Sequence, residues 1–533
     1  MTEQALPTHK EIVLPKPVLP RPPFRPTSED GILAIFAYAL GFLFWHWFFL
    51  SWRGLNVSLF TALFGSLTAL YFKSKGISMS REGWFWFAML QLTGLSFALW
   101  QNTGFEVWRA LFLFCFAVYW VIVSTKMPLR GRTSDWLPLD FLNVLLGVSF
   151  RHFGSHYRSL AALRQNKSRT MAQAGPIILG IVFSLLLLAF VLPLLLTADS
   201  GAFGALMGGL VTAWQSIMLQ YAELVFKLIL AIPTASYLFG LIAGSTHEAK
   251  VQDNRLKAAE SSLATLRIMP LPTVLTVMGV LSAVYLAFIF SQTTYFFSAF
   301  FGERAVGTMT YAEFARRGFF ELATIAVINL CVMSCGNLTS TILRSQSLAL
   351  RMLNILLSAL TLLLIATAFS KMILYVDTFG LTMPRLLPLI FMVLLSVICF
   401  AIIALQKWQF SIMRLTAIVG ALLLSFFTLV NLDGFVANYN ARRYFAGTLH
   451  SFDLVTVLRA GPAGVSAALL VYRETKDEDL RNNLAIYLNH EHANALHTAG
   501  KVTDTLENAL NRRRLARGEW DRSRSMPRTL GAD

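Results

Sequence analysis

The chain has 533 residues, of which 56% are hydrophobic and only 14% are charged. A soluble protein usually carries about 25% charged residues. Together with the long apolar runs that recur along the chain, this excludes an ordinary soluble protein and predicts an all-α polytopic membrane protein. The net charge of +16 is what basic loops facing anionic lipid produce, so we expect membrane lipids as partners and no nucleic acid.

The chain begins with a polar tail over residues 1–30 that contains the proline-rich stretch "LPKPVLPRPPFRP". Such a stretch is extended, and it is either a simple tail or a docking peptide for a protein partner. No cleavable signal peptide is predicted, because the first apolar run starts near Gly31 and no small-residue cleavage site follows it.

Eleven transmembrane helices are predicted from runs of about 20 apolar residues. They lie at 31–51, 55–72, 83–101, 107–124, 175–197, 222–244, 271–292, 318–339, 352–371, 386–405 and 411–431. The first four form a group over 31–124, and the last seven form a membrane core over 175–431. Between them, the basic loop 125–174 contains an apolar stretch at 135–150 that is typical of an interfacial helix. A half-helix at 198–221 is a further possibility.

Lysine and arginine are concentrated in every second loop, which is the pattern of the positive-inside rule. It predicts a multi-pass protein of the inner (plasma) membrane with a cytoplasmic N-terminus. An odd number of spans then places the polar segment 432–533 outside the cytoplasm. Leu480, Leu484 and Leu488 have helical spacing there, and Gly500 separates them from a second helical stretch. We expect a small helical hairpin that packs on the outer surface and offers a second surface for a protein partner.

The stretch "KMILYVDTFGLTMPR" at 371–385 places Tyr375, Asp377 and Arg385 at the outer membrane boundary. One interpretation is structural: the cations at the helix ends reach toward water, and Asp377 pairs with one of them. The other interpretation is a polar ligand site, because further polar groups fall on the same side. Those in nearby segments are Asp433, Asn438, Asn440 and Arg442 in "NLDGFVANYNARRY", and Arg317 and Glu321 in "YAEFARRGFFEL".

Several recognised chemical motifs are absent from the sequence. It has no HExxH, Walker loop, GxSxG or CxxC motif. His490, His492 and His497 could bind zinc, but His490 and His492 do not share a helix face, and a solvated helix explains them better. We therefore predict no metal and no cofactor, and no catalytic residue is assigned.

The blocks "YFFSAFFG", "YAEFARRGFFEL", "KMILYVDTFGLTMPR" and "NLDGFVANYNARRY", with the tail "GEWDRSRS", occur in an order and spacing that resemble a known bacterial family. The family is DUF4173, a domain of unknown function related to DUF4153, and the likeness covers roughly residues 175–528. The resemblance implies an integral membrane protein and supplies no reaction. This sequence departs from the family pattern after the last span, where "VLRAGPAG" replaces most of a motif and only Asp453 remains.

Three functions remain open, and the first is favoured over the two alternatives. The first is binding or transport of an anionic or zwitterionic solute or lipid headgroup at the outer polar site, where Asp377 or Glu321 would couple proton movement. The second is a membrane-embedded enzyme on a lipid-linked substrate, with Asp377 as base and Asp433 as its partner. The third is a non-enzymatic envelope sensor or assembly factor.

Overall fold

The structure is a computed structural model. It describes residues 23–50, 53–101, 103–164, 184, 191, 223–249, 253–291, 311–449, 451–518 and 520. Within these residues the chain forms helices and no strand. Three of the sequence predictions fall on parts outside them, namely the proline-rich stretch before residue 23, nearly all of the span at 175–197, and the half-helix at 198–221.

The helices are numbered in chain order. Those before and within the membrane region are α1 Ser28–Leu50, α2 Leu55–Ser74, α3 Arg81–Leu99, α4 Glu106–Ser124, α5 Leu137–Leu142, α6 Ser155–Arg164, α7 Glu223–Glu248, α8 Asp253–Thr265, α9 Leu271–Ser291, α10 Tyr311–Thr339, α11 Leu348–Phe379, α12 Met383–Leu405 and α13 Ile412–Leu429. The remaining helices are α14 Leu432–Phe445, α15 Leu454–Arg459, α16 Val465–Glu474, α17 Glu478–Thr498 and α18 Leu506–Leu515.

Nine helices in the described residues are long and apolar enough to cross a membrane, which supports the prediction of a polytopic membrane protein. The count of eleven is not confirmed. The predicted span at 83–101 forms α3, but Gln91 and Thr93 make its middle less apolar and it is not among the nine. The predicted interfacial stretch at 135–150 is helical and is not among them either; α5 continues there into a π-helical turn at Asn143–Val148.

Two groups of apolar helices form the membrane region. In the first, α1 to α4 pack with α7 and α13 around Trp120, which is wholly buried. The indole of Trp120 lies 5.0 Å from the ring of Phe87 and 5.8 Å from that of Phe72, measured between centroids. In the second group, α9 to α12 pack together, and the side-chain amide of Asn337 donates to Asn354 across 2.9 Å.

Helices α14 to α18 form a separate hydrophobic core, and we call this unit the C-terminal bundle. Leu484, Tyr487 and Leu488 of α17 are buried in that core, and Trp520 packs there as well. The predicted hairpin of α17 and α18 is therefore part of a larger helical unit that begins directly after α13. Gly500 separates the two helices with φ at 72°, a conformation that favours glycine.

The C-terminal bundle contacts the loops at one end of the membrane helices. The backbone N–H of Asn56, at the start of α2, donates to the carbonyl of Val502 over 2.9 Å. At the opposite end, Lys75 pairs with Asp30 at 2.8 Å, and Ser411 donates to Asp135 at 2.8 Å. The basic loops predicted to share one side thus contact one another, while the bundle occupies the other side.

Candidate functional site

Arg385 is held by the turn between α11 and α12. Its guanidinium donates to the carbonyls of Phe379 and Gly380, at 2.9 and 2.5 Å, and lies 4.2 Å from the centroid of Tyr375. Gly380 ends α11 with φ at 79°. A cation at the C-terminus of a helix stabilises its last carbonyls. The contacts of Arg385 and Tyr375 are therefore those of a helix cap.

Asp377 and Asn440 connect this turn to α14. The amide of Asn440 both donates to and accepts from the backbone of Leu381, each at 2.7 Å. Asp377 pairs with Arg443 at 3.2 Å, and Arg443 also donates to the Asp377 carbonyl at 2.9 Å. Asp377 thus pairs with a cation as one interpretation expected, but the partner lies in α14. The side chain of Asp377 remains 56% exposed.

Asp433 lies at the other end of α14, against the loop between α3 and α4. Its carboxylate accepts from the backbone N–H of Gly104 at 3.1 Å and from the hydroxyl of Thr103 at 3.3 Å. Burial raises the pKa of Asp433 above its ordinary value. Asp433 and Arg443, the partner of Asp377, are separated by ten residues of one helix, or about 15 Å. The two carboxylates of the enzyme hypothesis therefore do not share a cleft.

Glu321 and Arg317 lie on α10, and Tyr375 of α11 packs against the hydrophobic cluster that contains Phe319 and Leu322 of this helix. Glu321 is an exposed residue of α10. It interacts electrostatically with Lys371 of α11, whose side chain is wholly buried. The side chain of Arg317 falls outside the described part of the chain. Glu321 and Lys371 thus form an interacting pair of charged residues between two candidate membrane-spanning helices, α10 and α11.

A buried polar interface, not anticipated from the sequence, joins the bundle to the α3–α4 loop. Arg109, only 1% exposed, donates to the carbonyls of Trp100 and Gln101 at 2.8 and 2.9 Å. Glu507 of α18 accepts from the backbone N–H of Gln101 at 3.2 Å and from the side chain of Asn431 at 2.6 Å. These bonds supply partners to backbone groups of the partly buried residues Trp100 and Gln101.

Asn438 and Arg442 line a groove between α14, α16 and α18. The groove consists of three adjoining cavities of about 290, 550 and 320 Å³, which share Asn438 in their walls. We call it the basic groove. Its polar and charged lining residues are Asn431, Asn438, Tyr439, Arg442, Arg443, Ser466, Arg473, Glu507, Arg514 and Arg517.

One cavity of the basic groove is lined by four arginines. Arg442, Arg473 and Arg514 stand in the last turns of α14, α16 and α18, and Arg517 follows α18. Arginine at a helix C-terminus interacts favourably with the helix dipole, which accounts for each position singly. Their convergence comes from tertiary packing. No carboxylate among the described residues lines this 320 Å³ cavity, so its surface is strongly electropositive.

Among the described residues, no group of three or more histidine, cysteine, aspartate or glutamate side chains is arranged to hold a metal ion. His490 contacts Glu491 and Asn494 of its own helix. In its 320 Å³ cavity the basic groove presents guanidinium and amide groups, which suit phosphate and carboxylate ligands.

A family model described as "Domain of unknown function (DUF4153)" matches residues 87–467. The chain belongs to the DUF4153 family. This confirms the relation to DUF4153 expected from the sequence, while membership of DUF4173 itself is not shown. No curated protein and no solved structure matches this DUF4153 protein.

The family match runs from α3 to the start of α16. It includes Asn438, Arg442 and Ser466 of the basic groove, whereas Arg473, Arg514 and Arg517 lie beyond its end. It also begins earlier and ends earlier than the likeness seen in the sequence, which ran from 175 to 528. The family supplies no reaction to assign to the groove.

Proposed function

We propose that this membrane protein binds an anionic or zwitterionic ligand, a lipid headgroup or a solute bearing phosphate or carboxylate, in the basic groove. The observation that carries the proposal is the cavity lined by Arg442, Arg473, Arg514 and Arg517 without a described carboxylate. Planar guanidinium groups bind such anions through paired N–H donors. The amide of Asn438 and the hydroxyl of Ser466 add neutral donors at the same surface.

The position of the groove favours a ligand from the membrane surface. α14 follows α13 directly and extends from the α3–α4 loop to the end of α11, so it crosses the ends of membrane helices. Phe435 and Tyr439 line the groove on this helix, and Phe435 is 52% exposed. Aromatic side chains are enriched where a membrane meets water. On the topology predicted from the basic loops, the groove faces the extracytoplasmic side of the inner membrane.

Transport or lipid handling is the activity that fits this proposal. The enzyme hypothesis has less support, because Asp377 pairs with Arg443 near the end of α14, whereas Asp433 lies at the start of that helix and contacts the α3–α4 loop. The intramembrane pair of Glu321 and Lys371 offers a separate place for coupling to proton movement.

The proposal is tested by native mass spectrometry of the full-length protein in detergent, titrated with phosphatidylglycerol. The Arg442→Ala/Arg514→Ala double variant removes two guanidinium groups of the groove. Arg513→Ala is the matched control, because Arg513 is exposed on the same helix and does not line the groove. We expect the double variant to lose at least about tenfold in affinity, the equivalent of one lost charged hydrogen bond, and the control to bind as wild type. Equal affinity in all three proteins would refute the site.

A further inference from the structure

The basic groove has a second end with different chemistry. In the cavity of about 290 Å³, the carboxyl of Glu507 shares the wall with the indole of Trp100 and the ring of Phe435. Arg514 lines this cavity and also the cavity with four arginines. One groove therefore carries a carboxyl and two aromatic rings at one end, and a set of guanidinium groups at the other.

The carboxyl of Glu507 is held in position by hydrogen bonds, and its protonation depends on its surroundings. Asn431 and the backbone of Gln101 each donate to one of its oxygens, and the residue is only 3% exposed. Burial raises the pKa of Glu507 to about 7, with a smaller contribution in the same direction from Asp433, while Arg514 acts to lower it. A cation that entered the cavity would favour the ionised carboxylate and would gain a charged hydrogen bond.

The aromatic groups beside Glu507 suit an organic cation. Trp100 is oriented by a hydrogen bond from its indole N–H to the carbonyl of Leu429, at 2.8 Å. The faces of tryptophan and phenylalanine attract ammonium groups. A primary amine keeps its N–H donors and can bond to the Glu507 carboxylate, whereas a quaternary amine has no N–H to offer.

The spacing of the two charges fits one small ligand of both signs. Glu507 and Arg514 are seven residues apart on α18, which places their backbones about 10 Å apart along the helix. The side chains reach into the same cavity from these positions. A single inorganic anion would occupy only the arginine end.

We propose that the basic groove recognises a phosphate ester that carries a primary amine, with the amine at Glu507 and the phosphate at Arg442 and Arg514. This inference rests on the proposed function and specifies its ligand class. The same chemistry is present in the headgroup of phosphatidylethanolamine and in free phosphoethanolamine.

The test compares three lipids with identical acyl chains on the full-length protein by native mass spectrometry. These are phosphatidylethanolamine, phosphatidylglycerol and phosphatidylcholine. The variants are Glu507→Gln, which removes the charge with little change in shape, and Glu478→Gln, a control at an exposed carboxylate of α17. We expect wild type and control to prefer phosphatidylethanolamine, and Glu507→Gln to lose this preference by about tenfold without losing phosphatidylglycerol.

The outcomes separate the two proposals. Equal affinity of wild type for the three lipids, or an unchanged preference in Glu507→Gln, overturns the amine inference while the anion site stands. No binding of any of them overturns both. Competition by free phosphoethanolamine in the same assay supports a soluble ligand, and its absence supports the lipid. If Glu507→Gln fails to fold, Phe435→Leu tests the same end of the groove and is expected to weaken the preference.

Discussion

The carboxylate of Asp433 accepts a hydrogen bond from the backbone N–H of Gly104, 3.1 Å away, and so joins the C-terminal bundle to the loop between α3 and α4. Asp433 is 4% exposed and is nearly as buried as Glu507, which binds the same loop. These two contacts orient α14 and α18, whose facing surfaces form the basic groove.

Asp433→Ala is expected to loosen the bundle, because it removes the buried carboxylate that accepts hydrogen bonds from the Gly104 N–H and the Thr103 hydroxyl of the α3–α4 loop. The expected loss is about 1–3 kcal/mol of stability. Thermal unfolding in detergent and limited proteolysis within residues 446–533 measure it. Asp453→Ala is the matched control, since Asp453 only caps α15 at an exposed position and its loss costs about 1 kcal/mol. Equal effects of the two substitutions would show that Asp433 is not a docking residue.

Arg385→Ala and Arg442→Ala are expected to affect different properties of the protein, the first its stability and the second its lipid binding. Arg385 donates to helix-end carbonyls, so its removal lowers stability by about 1–2 kcal/mol and leaves phosphatidylglycerol affinity unchanged. The guanidinium of Arg442 is exposed in the groove and makes no hydrogen bond or ion pair with a described residue, so its removal weakens binding severalfold and leaves stability unchanged. A lipid titration and a melting curve for each variant decide the point. Loss of binding in Arg385→Ala alone would relocate the site to the α11–α12 turn.

The pH dependence of stability follows from Glu507. Its folded pKa is about 7, above the ordinary 4.5, so the folded protein holds this proton more tightly than the unfolded chain. The resulting stabilisation is present below about pH 4.5 and is lost as the pH rises through about 7. Buried Asp433 and Asp140 act in the same direction. The melting temperature is therefore expected to fall less steeply between pH 5 and 8.5 for Glu507→Gln than for wild type. The same pH dependence of the melting temperature in both proteins would contradict this role of Glu507.

The membrane topology predicts that residues 476 and 267 lie on opposite sides. Lys476 is exposed on the C-terminal bundle, and Arg267 is exposed before α9, beside the end of α10. After replacement of the four native cysteines, Lys476→Cys should react with a membrane-impermeant maleimide on intact spheroplasts. Arg267→Cys should react only after lysis. The reverse pattern would invert the orientation and place the basic groove in the cytoplasm.

The helices were largely predictable because apolar runs of membrane length are a strong signal in any sequence. The alternation of basic loops also predicted which loops share a side. α3 shows the limit of hydropathy: its helix forms at the predicted place although polar side chains lower its apolar character. The break between α17 and α18 was visible at Gly500, while the short helices α15 and α16 were too brief to give a periodic pattern.

Of the residues proposed from the sequence, Asn438 and Arg442 line the basic groove, and the other groove residues could not be found because sequence order does not report the direction of a side chain. Arg442 and Arg443 are adjacent, yet Arg443 pairs with Asp377 and lines only the 550 Å³ cavity, whereas Arg442 lines both that cavity and the one with four arginines. Arg473, Arg514 and Arg517 resemble an ordinary solvated surface in the sequence, and only the packing of α16 and α18 against α14 brings them together. A cluster of arginines in the last turns of the C-terminal helices was the one available signal.

A direct image of the basic groove with lipid present tests the central claim most directly. We would determine the structure by electron cryo-microscopy in nanodiscs that contain phosphatidylethanolamine and phosphatidylglycerol, for wild type and for Arg442→Ala/Arg514→Ala. The predicted result is headgroup density against Arg442 and Arg514 in wild type that is absent from the variant. An empty groove in wild type, with lipid density only along the apolar faces of the membrane helices, would contradict a binding function at this site.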